Sequence, residues 1–436
     1  MLKLDLTADE LIERLLASSD PAPICLLDSC GAGHLSSHLT IAGVGIIETE
    51  EFSSEGGPAV IEHLGDYLEG ERPCIFTISY ALGAKLLGIP ALPTDEPDIF
   101  VATFDSMIVH DADSGTTAIF GHSGDSKTAK ELAERLSSPM PADDTGEPSP
   151  VVAAADTTRD EYIAAVEQIR EHIREGITYQ TNLTRQISAR LPQDAKPRDI
   201  YRRLRRRNPA PFAAYIERPN STVISASPER FFRYRADSRR IDTSPVKGTR
   251  PRGSTAEEDL ALKCELLNSR KDRAENTMIV DLLRNDIGRI AEFGSVEVKE
   301  LCALETHPTY HQLVSTVVAT VRTGTTPAEM IRSLFPCGSI TGAPKISTMR
   351  IIDSLERSSR GLSMGAIGYY CPQSLSASGL ATLDLSVAIR TMVVRGRNAK
   401  FNVGGGIVID SDPAAEFEET LVKSRALLDA FNAAIE

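Results

Sequence analysis

Residues 158–191, TRDEYIAAVEQIREHIREGITYQTNLTRQISARL, read as one helix running almost directly into one strand. Thr158 followed three residues later by Glu161 is a capping box, which satisfies two orphan amides at a helix start. Ile163, Val166, Ile169 and Ile173 then recur at helical spacing until Gly176 ends the run. From Tyr179 the period changes to two. Tyr179, Leu183, Ile187 and Leu191 fall on one side, and Gln180, Asn182, Thr184, Gln186 and Ser188 on the other. Such alternation packs one face on a core and leaves the other to water or to a polar cavity.

Working outward, strand-like runs recur at 213–216, 222–225, 367–371, 386–394 and 401–403, and long helical stretches at 255–290 and 413–432. Strands grouped and then separated by long helices do not form regular βαβ units. The expected class is therefore α+β, with large, mainly antiparallel sheets layered with helices. Residues 137–150, SSPMPADDTGEPSP, are polar and proline-rich and read as a linker. They divide an amino-terminal domain, 1–136, from a larger catalytic domain, 151–436.

The 436 residues provide ample core, and the formal charge of −14 argues against a general nucleic-acid binder, which needs a basic face. The local exception, Arg202-Arg203-Leu204-Arg205-Arg206-Arg207, is expected to be a solvated helix face. Seven scattered cysteines without a CxxC pair fit a reducing compartment with neither a disulfide frame nor a zinc site. No apolar run reaches the length of a membrane span, and the start of the chain lacks a signal-peptide layout, so a cytoplasmic protein away from membranes is expected.

Several side chains suggest chemistry. Ser227-Pro228-Glu229-Arg230 is followed by Ser244-Pro245-Val246-Lys247-Gly248-Thr249, a carboxyl and an amine in framed positions suited to acid and nucleophile work. Asp272 and Glu275 share one helix face, as do Glu416 and Glu419 beyond the N-cap Asp412-Pro413. Such pairs are ordinarily solvent-facing salt-bridge partners. Brought together from two helices they would repel unless a cation sat between them, and oxygen-only ligands point to magnesium rather than zinc. Gly338 to Lys345 fails the phosphate-loop spacing, so no nucleotide is implied.

These segments, with Arg273-Ala274-Glu275-Asn276, Asp281-Leu282-Leu283-Arg284-Asn285-Asp286 and Gly404-Gly405-Gly406-Ile407-Val408, follow an order that resembles the chorismate-utilising enzymes over residues 158–428. That family includes anthranilate, aminodeoxychorismate, isochorismate and salicylate synthases. The resemblance implies that Glu275 and Glu419 touch Mg2+ while Asp272 and Glu416 hold its waters, and that Lys423 supports the ring carboxylate of chorismate. It implies that Arg390 forks onto the enolpyruvyl carboxylate, with Tyr369 as its hydroxyl partner, and that Thr249 is a further donor. Gly404, Gly405 and Gly406 would bring backbone amides close to an anion, unless they merely turn between strands. Leu27 and Ser29 match a pocket that binds tryptophan in some members, or pack in the core.

Two positions discriminate within the family. Water-using members resemble one another in a lysine base where this chain has Gln180, and anthranilate synthases have alanine where it has Lys247. Gln180 with Lys247 resembles the aminodeoxychorismate synthase component I branch. There the lysine attacks ring carbon C2 while Glu229 protonates the departing C4 hydroxyl, and ammonia then attacks C4 and expels the lysine. An ordinary lysine amine is neutral in about one molecule in a few thousand at neutral pH, so burial or onward proton transfer must assist. One departure is Gln312, where anthranilate synthases carry histidine before Leu-Val-Ser; His311 stands one position early. Ser244 replaces a larger basic residue of some relatives, for which we have no physical account. With no Gly-x-Cys-x-Gly nucleophile turn, ammonia is expected from a partner glutaminase subunit. Anthranilate synthase component I is the alternative, and a non-catalytic chorismate-binding subunit a remoter one.

Overall fold

The helix that starts at Thr158 spans Arg159–Arg174, closed by the predicted capping box, with Tyr162, Val166 and Ile169 buried. The computed structural model describes residues 2–17, 23–31, 38–53, 57–121, 127–136, 146, 148–306, 310–378 and 381–435. Most of the 137–150 linker lies outside them. The strand after the helix, Gln180–Arg190, is the axis of the larger segment. It pairs along its length with Asn398–Ile407, and at its start with the two residues Gly342–Ala343. The first part of its polar side does not face bulk water, since Gln180, Asn182 and Thr184 are all buried, while Gln186 and Ser188 are half-buried. Tyr179, assigned to the apolar side, precedes the strand and is 66% exposed, because the chain has not yet entered the sheet there.

Two other expectations change in detail. The run 386–394 is two strands, Leu383–Val387 and Thr391–Arg395, broken where Arg390 takes a left-handed backbone angle, φ 49°. Few non-glycine residues adopt that region. The stretch 255–290 is two helices, Ala256–Asn268 and Arg270–Gly288, hinged at Ser269, whose side chain accepts from the Asp272 amide at 3.2 Å. The last helix, Pro413–Ala430, starts as expected at Asp412.

Segments 1–136 and 151–436 share hydrogen-bonded sheet. Cys25–Asp28 pairs with Phe212–Glu217, and Cys74–Ile78 pairs with Ala366–Tyr370. Among the described residues all pairings are antiparallel except that of Val151–Ala155 with Ala433–Ile435. The α+β, mainly antiparallel architecture is therefore as expected. Helices pack on the sheet faces, for example Tyr162, Val166 and Ile169 with Leu183, Ile407 and Phe417. All seven cysteines are free, and no described helix is long and apolar enough to cross a membrane.

The arginine run is not a free solvated face. It lies on helix Pro197–Arg207, where Arg202 pairs with Glu13 at 2.7 Å and Arg205 with the buried Asp28 at 2.6 Å. Arg203 donates to the Ala430 carbonyl at 2.7 Å and Arg207 to the Asp429 carbonyl at 3.1 Å. These contacts satisfy orphan carbonyls at the end of the last helix. Charge alternation along a helix gives no hint of such distant partners.

Candidate active site

A cavity of about 550 Å3 opens beside the strand Gln180–Arg190. Most of the residues singled out from the sequence line it. Glu229, at the turn between Thr222–Ser227 and Arg230–Arg235, and Lys247, on Val246–Pro251, share its wall with Thr249. Glu229 is buried. Burial pushes its carboxyl pKa up, against the opposing pull of a hydrogen bond from Ser339 and of the charges on Lys247 and Lys423. A carboxyl drawn toward its protonated form beside an amine is the combination an acid-plus-nucleophile mechanism needs.

Asp272 and Glu275 reach the cavity from Arg270–Gly288, and Glu416, Glu419 and Lys423 from Pro413–Ala430. Gly248, at φ 78°, leaves Asp272 room, for a Cβ there would stand 2.8 Å from the Asp272 Cβ. Burial raises the Glu275 pKa, with Asp272 and Glu419 adding to the rise. Burial likewise raises that of Glu416, against a 2.6 Å hydrogen bond from Ser411. For Glu419 burial is outweighed by Lys423, whose ammonium lies at 2.6 Å, and its pKa falls. Lys271 comes within 4.0 Å of Glu416.

These carboxylates suit an oxygen-preferring divalent cation. Glu275 and Glu416 are pushed toward protonation by burial and by the neighbouring Glu419, and the space between Glu416 and Glu419 is a cradle that a side chain would fill. A Cβ on Gly405 would stand 3.2 Å from one Glu416 oxygen and 3.5 Å from one Glu419 oxygen. No three of the four predicted carboxylates have oxygens all within 4.8 Å of one another. Among the described residues only His38, Asp111 and Asp113, at a surface turn, are so close. Closing the set on a cation would draw Glu419 away from Lys423.

Arg390 presents its guanidinium to the same cavity. Its side chain is exposed to the open cavity rather than packed inside the protein. Tyr369 does not join it. Paired opposite Asp384 in the sheet, it points into a separate, small cavity of about 60 Å3 lined by Leu27, Asp28 and Arg230. The structure thus does not bring Tyr369 and Arg390 to one cavity. Ser29 is buried nearby, and a space of that size is far below that of a typical ligand site.

The glycine run does not form the alternative tight turn. Gly404, Gly405 and Gly406 lie inside a strand rather than a turn, opposite Thr184, Leu183 and Asn182. They act by what they omit: a Cβ on Gly404 would stand 1.9 Å from the Leu183 carbonyl oxygen, and one on Gly406 2.2 Å from Gln180 Nε2. Gln180 itself is wholly buried, and both its amide nitrogen and oxygen lack hydrogen-bond partners. An orphaned buried amide is costly unless a ligand or water completes it.

Sequence reasoning missed a buried pair that backs the wall of the site. Arg360 and Glu356 form a buried pair at 2.7 Å, and Arg360 also donates to the carbonyls of Ile340 (2.9 Å) and Asn182 (2.6 Å). Glu356 accepts from the Thr184 amide at 2.7 Å. The only available signal was their spacing of four on one turn. Lys345, at the end of the glycine-rich stretch, is tied to Asp286 at 2.8 Å and to the Leu334 carbonyl at 3.0 Å, a structural clamp. His311 turns away from the cavity to Asp259 (2.8 Å) and Thr306 (3.0 Å), whereas Gln312 lines it. Another cleft, of about 510 Å3, holds none of the predicted residues, and its Arg357 is paired with Glu161 at 2.6 Å.

Comparison with known proteins bears on this site. Residues 47–429 match the model of the chorismate binding enzyme family. The chain is 42% identical over 364 residues to an aminodeoxychorismate synthase of Streptomyces griseus, covering 80% of this chain and 49% of that protein. It is 39% identical over 354 residues to aminodeoxychorismate synthase component 1 of Klebsiella aerogenes, covering 80% and 75%. It thus spans about half of the first relative and about three quarters of the second. The crystal structure of anthranilate synthase component I from Streptococcus pneumoniae superposes with a TM-score of 0.76 at 26% identity, covering 94% of this chain and 93% of the other.

Proposed function

The chain belongs to the chorismate binding enzymes, and we propose that within them it is the chorismate-aminating component of an aminodeoxychorismate synthase. The observation that carries this reading is that Lys247 and the buried Glu229 face one cavity. The Lys247 amine attacks ring carbon C2 of chorismate. Electrons shift through the ring, and the C4 hydroxyl leaves as water with a proton from Glu229. Ammonia then attacks C4, the electrons return, and the lysine departs from C2. An amine replaces the hydroxyl and the enolpyruvyl group is retained, giving 4-amino-4-deoxychorismate, the precursor of para-aminobenzoate and so of folate.

Glu275 and Glu419, with Asp272 and Glu416 behind them, would hold Mg2+. When bound, the cation would neutralise and fix the ring carboxylate. Lys423, held to the Gly404 carbonyl at 2.9 Å, stands beside that position. Arg390 takes the second carboxylate with its planar fork, Thr249 supplies a further donor, and the buried Gln180 supplies no base of the kind water attack would need. Ammonia comes from a separate glutaminase subunit, a reading supported by the "component 1" in a relative's name. A cytoplasmic setting fits the unpaired cysteines.

Anthranilate formation is the second reading, favoured by the likeness to anthranilate synthase component I and opposed by Lys247. Incubating the purified chain with chorismate, Mg2+ and ammonium, alongside Lys247→Ala, tests both. Accumulation of 4-amino-4-deoxychorismate, lost in the variant, supports the proposal, and anthranilate from the wild type overturns it.

A further inference from the structure

We propose that Tyr310 is a substrate-binding residue, its phenol hydroxyl sharing with Arg390 the carboxylate of the enolpyruvyl side chain. This rests on the reading of chorismate as substrate. The strand Tyr310–Thr320 pairs with the Lys247 strand so that Gln312 lies opposite Thr249 and Tyr310 opposite Pro251. Tyr310 and Gln312 are two residues apart and so share a face, and both line the cavity. His311, between them, points the other way and is bound to Asp259 and Thr306.

Apart from Lys247, taken above as the nucleophile, Arg390 is the cavity cation left for an anion. Lys423 is engaged by Glu419, Lys271 approaches Glu416, and Arg250 binds Asp272 at 3.1 Å. Arg390 has no carboxylate partner among the described residues, and Tyr310 lines the same cavity. Tyr369, the hydroxyl partner expected from sequence, faces a different cavity. Tyr310 is the tyrosine that lines this one. A carboxylate gripped by a guanidinium keeps lone pairs free, and a phenol hydroxyl donates to one of them.

The test is Tyr310→Phe, which removes the hydroxyl and keeps the ring. The expected result is a KM for chorismate raised about 10-fold with kcat within about 2-fold, the loss of one hydrogen bond to a charged group. Tm should not change. In the Arg390→Lys background the same substitution should cost less than in the wild type, a coupling that a merely structural tyrosine would not show. An unchanged KM overturns the inference. Calorimetric binding of chorismate without ammonia separates the two levels of the argument. Wild type that binds but makes no amine defeats the proposed reaction, while a weaker affinity in Tyr310→Phe still supports the role of Tyr310. Equal affinity of both chains defeats that role, and so does a wild type that binds no chorismate.

Discussion

Gly406 lies against Gln180 so closely that a Cβ on the glycine would stand 2.2 Å from the Gln180 amide nitrogen. The buried amide is therefore accommodated by the absence of a side chain on the neighbouring strand. Gly406→Ala must displace either Gln180 or the strand Asn398–Ile407. We expect a stability loss of about 1–3 kcal/mol by denaturant titration and a larger relative loss of turnover. Full turnover in that variant would show that Gln180 has no part in the reaction.

Glu229 should shape the pH profile. Its folded pKa is raised by burial above the ordinary carboxyl value, so its protonated, acid form is lost as pH rises through that folded value. The rate should fall along that limb, and Glu229→Gln should remove the limb along with about 10²–10⁴-fold of the rate. Stability follows the same sign. A raised folded pKa favours the fold below the unfolded value and loses that contribution as pH rises through the folded one. At neutral pH Glu229→Gln should therefore be at least as stable as the wild type, with the advantage fading near pH 4.

Magnesium dependence should track the carboxylates on two helices. Glu275→Gln or Glu419→Gln is expected to abolish the stabilisation that Mg2+ gives in the presence of chorismate, read as a thermal shift. Chelation should silence the wild-type chain reversibly. A chain fully active after exhaustive chelation would remove the cation from the proposed mechanism.

The pair Arg360–Glu356 is buried and bridges the strand Gln180–Arg190 to the segment after Lys345–Leu355. Replacing one partner, as in Arg360→Met, leaves a buried charge and should cost about 3–5 kcal/mol. Replacing both with apolar residues should cost less, a comparison that equilibrium unfolding can make.

What was legible in the sequence was local. The capping box at Thr158, the glycine stop at 176, the N-cap at Asp412 and the period-two run all set elements where they stand. The carboxylates Asp272, Glu275, Glu416 and Glu419 could be paired by helix spacing, and the cavity brings both pairs to one wall. What could not be read were long-range choices. Strand alternation decided which way Tyr369 and Tyr310 point, and that depends on register with Leu383–Val387 and Val246–Pro251. The partners of Arg203 and Arg205 lie at opposite ends of the chain. The break at Arg390 comes from a backbone angle that residue type disfavours.

The pairing of Cys74–Ile78 with Ala366–Tyr370 also governs how the chain is born. One edge of that short apolar strand is covered by Ile99–Asp111, but its other partner emerges from the ribosome about 290 residues later. At ordinary synthesis rates that is a wait on the order of 15–60 s with an unsatisfied, β-prone edge in the nascent chain. Polypeptides truncated before residue 366 should therefore be clients of holding chaperones and prone to aggregate, however well their amino-terminal strands have already formed.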